Sequence, residues 1–252
     1  MMIPTYCGAV VGLPPALSAH SRMQYIAFYK PYGVMSSFTH ETQFVNEAPK
    51  RTLSEYSLPK GVYAAGRLDF DSEGLLLLSD DGAFIHAATD PLHKQPKTYI
   101  AQVEGVPDEA ALTRLMSGLQ IKDYTTAPCK ARMIEAPDLP PREKPVTPKG
   151  PTAWLELVLT EGKKRQVRHM TAAVGLPTLR LLRQSIGPIG LTDLKPGKWR
   201  ALTPVEIAAF AQSVQSALDN RPVRRYSAPS RPDRRYGGQS FETKRRNKPG
   251  SG

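Results

Sequence analysis

The segment Gly66–Gly82, GRLDFDSEGLLLLSDDG, constrains the chain more than any other. Its run Leu75–Leu78 is wholly apolar and too short for a buried helix. Turn-forming residues bound it on both sides, Asp71-Ser72-Glu73-Gly74 before and Asp80-Asp81-Gly82 after. A short apolar run between such signals reads as a buried strand with a firm stop. Upstream, Val62–Ala65 reads as another strand that leads straight into Gly66-Arg67-Leu68-Asp69. Two aspartates therefore sit in a tight connection between core strands.

The flanking chain is rich in strands. Gln24–Tyr29 reads as a strand punctuated by Lys30-Pro31-Tyr32-Gly33. Val34–Lys50 reads as mixed strand and loop, and Leu53–Tyr56 as a helical turn. Lys97–Glu104 and Trp154–Thr160 alternate as half-buried strands. In Thr178–Ile186 apolar and basic residues interleave. Helical spacing marks Asp108–Gly118, Lys164–Gly175 and Pro204–Leu218, and five prolines make Met133–Gly150 a loop. No regular helical crossovers separate the strands and no repeat is visible. The expected fold is therefore α+β, a mixed, mainly antiparallel sheet with flanking helices.

Charge is unevenly spread. The net charge is +11, but ten Lys and Arg after Asn220 face only Asp233 and Glu242, giving that tail +8. The first 220 residues carry +3. Arg, Pro, Ser and Gly dominate 221–252, a composition that cannot bury a core, so a disordered basic tail is expected. Residues 1–22 have no cation ahead of their apolar stretch, and Pro14 and Pro15 break it, so they read as a disordered leader and not a signal peptide. The folded part is expected over 23–220. No run is long enough to span a membrane. Two cysteines, Cys7 and Cys129, form no framework and fit a reducing cytoplasm. The five histidines show no ligand spacing, so no metal is expected.

Asp71, beside Ser72 and Gly74, reads as a turn former. For Asp69 two readings stand level: a turn former, or a reactive carboxylate held rigidly at a strand end. A glycosidase pair is disfavoured because side chains two residues apart crowd one face. EGKKRQVRHM, Glu161–Met170, follows a strand and opens a helix, with Lys163, Lys164, Arg165 and Arg168 clustered there. With the helix dipole such a segment can bind phosphate; taken alone it equally describes a solvated basic face.

Five segments, in order, resemble the RsuA-like branch of the bacterial RNA pseudouridine synthases: KPYG (Lys30–Gly33), GRLDFDSEGLLLLSDDG, KTYIAQVEG (Lys97–Gly105), EGKKRQVRHM, and TLRLLRQSIGPIGL (Thr178–Leu191). PGKWRALT, Pro196–Thr203, also fits, and the likeness spans Gln24 to Thr203. Within the branch the chain is most similar to the subgroup called pseudouridine synthase E. The resemblance implies isomerisation of a uridine in large-subunit (23S) ribosomal RNA, in a central RNA-binding cleft, by a cytoplasmic, cofactor-free monomer. It implies that Asp69 is catalytic, that Arg168 pairs with Asp69, and that Tyr99 stacks on the flipped base. Arg67 would push into the RNA stack. Lys97, Lys163, Lys164 and Arg165 would contact RNA, and Leu182 or Ile186 would form an apolar floor. The S4 domain common in the branch has no counterpart in this sequence, as in the E subgroup. His169 and Phe70 depart from the arginine and the charged residue frequent at those positions. The competing expectations are a synthase for another RNA and a non-catalytic ribosome-assembly factor.

Overall fold

The computed structural model describes residues 23–39, 50–121 and 123–220. The expected leader and tail lie outside the described residues, as does most of Val34–Lys50. In chain order the strands are β1 (Tyr25–Lys30), β2 (Tyr63–Ala64), β3 (Glu73–Ser79), β4 (Lys97–Glu104), β5 (Gln120–Ile121), β6 (Tyr124–Thr125), β7 (Lys130–Ile134), β8 (Thr152–Leu159), β9 (Thr178–Ile186), β10 (Ile189–Gly190) and β11 (Trp199–Ala201). The α-helices are α1 (Gly82–Thr89), α2 (Glu109–Ser117), α3 (Gln166–Ala173) and α4 (Pro204–Asp219). The main sheet runs β11-β1-β3-β9-β4-β8-β7, with β10 on β9 and β2 on β3, while β5 and β6 pair separately. β3 and β9 run parallel and the other paired strands antiparallel, which is the mixed α+β arrangement expected.

Residue pattern explains the elements. Every residue of β3 is buried, as its unbroken leucine run requires. Along β8, buried Ala153, Leu155, Leu157 and Leu159 alternate with half-buried neighbours, the period of a strand with one core face. The Asp108 side chain accepts from Ala111 N to cap α2, and Gly118 at φ 93° ends it. α4 starts on a Thr203/Glu206 capping box with Pro204 in its first turn. α1 escaped the sequence reading. Asp80-Asp81-Gly82 is a stop for β3, but Asp81 is also the N-cap of α1, accepting from Ala83 N. β7 escaped too, at the edge of the proline-rich loop.

Apolar side chains form three clusters. Ala27, Leu75, Leu77, Ile100 and Leu182 pack with Phe84 of α1 and Phe210 of α4, whose rings are 5.0 Å apart. Leu155, Leu157 and Leu181 pack with Leu115 of α2 and Met170 of α3. Ile26, Phe28, Leu76 and Leu78 pack with Val34 and Leu53.

The sheet thus has two halves, β11-β1-β3 and β9-β4-β8-β7, joined along a narrow seam. Only Glu73↔Leu182 and Gly74↔Arg183 are in register there. Gly74 permits the approach: at φ 106°, a Cβ on it would lie 2.3 Å from the Arg183 carbonyl oxygen. Two arginines of β9 fasten the seam. Arg180 forks the buried Glu73 carboxylate at 2.9 and 2.8 Å and also reaches Pro140 O at 2.8 Å. Arg183 donates from Nε to Leu75 O at 2.8 Å.

Candidate active site

A cleft of about 580 Å³ opens at the seam. The connection 65–72 between β2 and β3, the turn 160–165 leading into α3, inward residues of β4 and β9, and the end of α1 with the turn after it meet there. Arg67, Asp69, Lys97, Tyr99, Lys163, Lys164, Arg165 and Ile186 all line it, so residues far apart in sequence converge on one cleft.

The loop that carries Asp69 is pinned from behind. The Ser36 hydroxyl donates to Leu68 O at 2.9 Å and accepts from Leu68 N at 3.0 Å. Gly33 N donates to Phe70 O at 2.9 Å, and Ser72 N closes a turn on Asp69 O at 3.1 Å. Lys30, with 0% exposure, ties off the KPYG turn by donating to Pro31 O at 3.0 Å and Val34 O at 2.6 Å. Burial pushes its ammonium down to about 7, although Glu73, Asp71 and Asp69 nearby oppose that. The KPYG segment therefore fixes the aspartate loop.

The two aspartates have different surroundings. Arg165 grips Asp71 with two hydrogen bonds, Nη1 to Oδ1 at 2.7 Å and Nη2 to Oδ2 at 3.0 Å. The same Nη1 is 3.9 Å from Asp69 Oδ2. Arg168, one turn into α3, donates to the backbone oxygen of Asp71 at 2.7 Å and to Thr178 O at 3.2 Å, with the Asp71 carboxylate 3.4 Å away. The expected Arg168–Asp69 pair is thus corrected: Arg168 holds Asp71. Nor is Asp71 merely a turn former. Burial raises its pKa, but the Arg165 hydrogen bonds and the Arg168 charge outweigh that and hold it below the usual carboxylate range. Burial in turn pushes the Arg168 guanidinium down, against the pull of Asp71.

Arg165 caps the N-terminus of α3 in the left-handed region, φ 54° and ψ 27°, an uncommon place for a residue with a side chain. Its fork on Asp71 compensates for that strain. The preceding turn is shaped by buried Gln166. Its Oε1 accepts from Lys163 N at 2.9 Å, and its amide donates to Glu161, which also accepts from Ala127 N at 2.9 Å. Lys163 sits 3.4 Å over the Tyr124 ring.

On the opposite wall, Lys97 donates to Gln95 O at 3.1 Å, and burial and then the charge of Arg183 push it down to about 8. Leu181, not Leu182, faces the cleft; Leu182 turns to the cluster on the other side of the sheet. Leu181 and Arg183 share a face by strand alternation. An irregularity of register opposite Thr98/Tyr99 then brings Ile186, not residue 185, to the cleft. Sequence reading also missed Arg183 and Ser72. Both line the cleft, and Arg183 Nη2 and Ser72 Oγ are buried without a hydrogen-bond partner. The basic alternation in Thr178–Ile186 was the available signal for Arg183. Phe70 lines the cleft mouth, and no helix among the described residues is long and apolar enough to cross a membrane.

Comparison with known proteins agrees with this geometry. Residues 24–173 match the family model described as RNA pseudouridylate synthase. The chain is 56% identical over 174 residues to the ribosomal large subunit pseudouridine synthase E of Xanthomonas campestris pv. campestris, covering 68% of this chain and 91% of that protein. It is 46% identical over 179 residues to the Vibrio parahaemolyticus protein of the same name, covering 70% and 73%. A crystal structure of a pseudouridylate synthase superposes with TM-score 0.62 at 27% identity, covering 77% of this chain and 76% of that one. The chain belongs to the RNA pseudouridylate synthase family.

Proposed function

We propose that this protein isomerises a uridine of large-subunit ribosomal RNA to pseudouridine, with Asp69 as the catalytic carboxylate. The bond from the sugar to the base nitrogen breaks, the base turns, and a carbon of the base bonds to the sugar. A proton leaves that carbon and one is gained on nitrogen, so the reaction needs no electrons and no added group.

One observation carries the choice of Asp69. Both oxygens of Asp71 are held by Arg165, whereas Asp69 lines the cleft with that guanidinium 3.9 Å away. A carboxylate locked in a bidentate fork is a poor reactant; one open to the cleft with a cation nearby is available. Tyr99 offers a face on which an extruded base stacks, worth roughly 1–3 kcal/mol against the cost of unstacking. Arg67, Lys97, Lys163, Lys164 and Arg165 supply positive charge for phosphates around the entrance.

The large-subunit target rests on the names of the similar proteins, and a monomer in the cytoplasm is our reading of its working state. Pseudouridine mapping of ribosomal RNA from cells with the gene, without it, and with Asp69→Asn tests the proposal. One large-subunit position should lose its modification in the latter two. Unchanged large-subunit RNA with a missing site in another RNA would move the substrate; no missing site anywhere would overturn the function.

A further inference from the structure

Beyond the reacting end of the cleft, the turn that follows α1 gathers His86, Asp90 and His93. One ring nitrogen from each histidine and one carboxylate oxygen lie within 4.8 Å of one another. We propose that these three side chains form a binding site for a divalent transition metal of the zinc type, which fastens one wall of the cleft.

Local structure builds the cluster. His86 lies in the last turn of α1, Asp90 follows one turn later, and His93 ends the short 3-10 turn Pro91–His93. Asp90 is divided between two tasks. Its Oδ1 accepts from Leu92 N at 2.8 Å, which fixes the carboxylate, and its Oδ2 is 3.3 Å from His86 Nε2. His93 is buried at 8% exposure, with Nδ1 3.1 Å from the Ala87 carbonyl oxygen. A backbone carbonyl on one ring nitrogen is what orients a metal-ligating histidine and settles its tautomer. The two imidazole rings meet edge to face, with centroids 5.5 Å apart.

The donor set selects the metal class. Two imidazoles and one carboxylate suit zinc and its neighbours, whereas calcium and magnesium want more oxygens. Three protein ligands leave a fourth position for water. Ligand atoms about 2.0–2.2 Å from zinc stand roughly 3.3–3.6 Å apart in a tetrahedron; His86 Nε2 and Asp90 Oδ2 are already 3.3 Å apart, and any pair nearer the 4.8 Å bound closes when a side chain moves. His86 can do so, since its side chain is 68% exposed. A simple His86–Asp90 surface pair would explain two of the groups but not the third, and would be weak. Histidine spacing alone does not show the pattern, because its middle ligand is an aspartate.

The site sits where closure matters. Ala88, Thr89 and Pro91 lie between the ligands in sequence and line the cleft. Thr89 faces Gly66, 3.4 Å from where a Cβ there would stand. A metal across His86, Asp90 and His93 would therefore lock the end of α1 to the turn after it and stiffen the wall opposite Arg67.

The test uses full-length, tag-free protein stripped with chelator. Zinc chloride is titrated calorimetrically, and cobalt(II) chloride is followed by its visible ligand-field bands. Wild type should bind a single ion per chain, with intense tetrahedral-type cobalt bands. His86→Ala and Asp90→Asn, checked for fold by circular dichroism, should each weaken binding by at least about tenfold. Zinc should raise the melting midpoint of wild type and leave that of His86→Ala in place. No binding by wild type would overturn the proposal. So would wild-type affinity retained in either variant, since the ion would then sit elsewhere.

Discussion

Arg165 closes on Asp71 through two hydrogen bonds, of 2.7 and 3.0 Å, and comes no nearer to Asp69 than 3.9 Å. Two carboxylates that look interchangeable in the sequence are thereby assigned opposite duties. Asp71 anchors the helix-capping arginine, and Asp69 is left facing the cleft.

Substitution separates the two. Asp69→Asn should reduce pseudouridine formation on an rRNA transcript by at least about 10²–10⁴-fold, the range lost when a proton-transferring group is removed. Binding of the same transcript should stay close to wild type. Asp71→Asn should instead lower the melting temperature, because Arg165 would keep its strained backbone with a weaker partner. Near-normal turnover by Asp69→Asn would transfer the chemistry to another group.

Arg168→Ala should do more damage than Lys163→Ala or Lys164→Ala. Its side chain is 11% exposed and serves Asp71 and Thr178 together, so its loss strands half-buried acceptors at a cost of about 1–3 kcal/mol. The lysines are exposed, and each should change stability by no more than about 0.5 kcal/mol. Chemical denaturation with parallel turnover assays measures both. Equal, small effects for all three would make this segment a basic face and nothing more.

Gly74→Ala is expected to cost about 3 kcal/mol or more, combining a positive φ with a Cβ 2.3 Å from Arg183 O. Gly61→Ala also has a positive φ, but nothing lies within 4 Å of its Cβ position, so it should be milder. Urea denaturation of both variants compares strain alone with strain plus collision. Similar losses would mean that the seam yields.

Lys30 predicts a pH dependence. Its native pKa is near 7 and its ordinary value is 10.5. Below 7 both folded and unfolded chains hold the proton. Between 7 and 10.5 the unfolded chain holds it and the native one does not, so stability rises with pH, by about 1.4 kcal/mol per unit at full effect. Lys97, pushed down to about 8, contributes with the same sign from there upward. Denaturation midpoints from pH 7 to 9 should therefore climb more steeply for wild type than for Lys30→Met. Parallel curves would show that Lys30 titrates normally.

Much of this was legible before any coordinates. Alternation gave β4 and β8, the leucine run gave β3, and helical spacing closed by Gly118 gave α2 within a residue or so. The cleft residues Asp69, Tyr99 and Arg165 fell in segments whose order betrayed the family. What stayed hidden were relationships set across the seam. Whether a guanidinium on α3 meets Asp69 or Asp71 depends on the placement of elements more than ninety residues apart. Leu181 replaced Leu182 in the cleft because a family role had been carried over without the phase of its strand. α1 was lost because Asp81 both ends one element and caps the next. The pairing of Ser36 with Leu68 has no local pattern at all, since a hydroxyl that braces a distant loop looks like any loop serine.

The narrow join between β3 and β9 has a mechanical meaning. Two broad half-sheets paired at two positions, and otherwise held by a shared apolar cluster and the arginines of β9, resemble the arms of tongs about a short, stiff pivot. A rotation there of a few degrees would swing the outer walls, with their lysines and arginines, through distances that grow with their reach. Asp69 sits only a few residues from the axis and would scarcely travel. For the proposed reaction, admission of a bulky polymer and placement of the Asp69 carboxylate would then be separate degrees of freedom, and the leverage that serves the first would leave the second undisturbed.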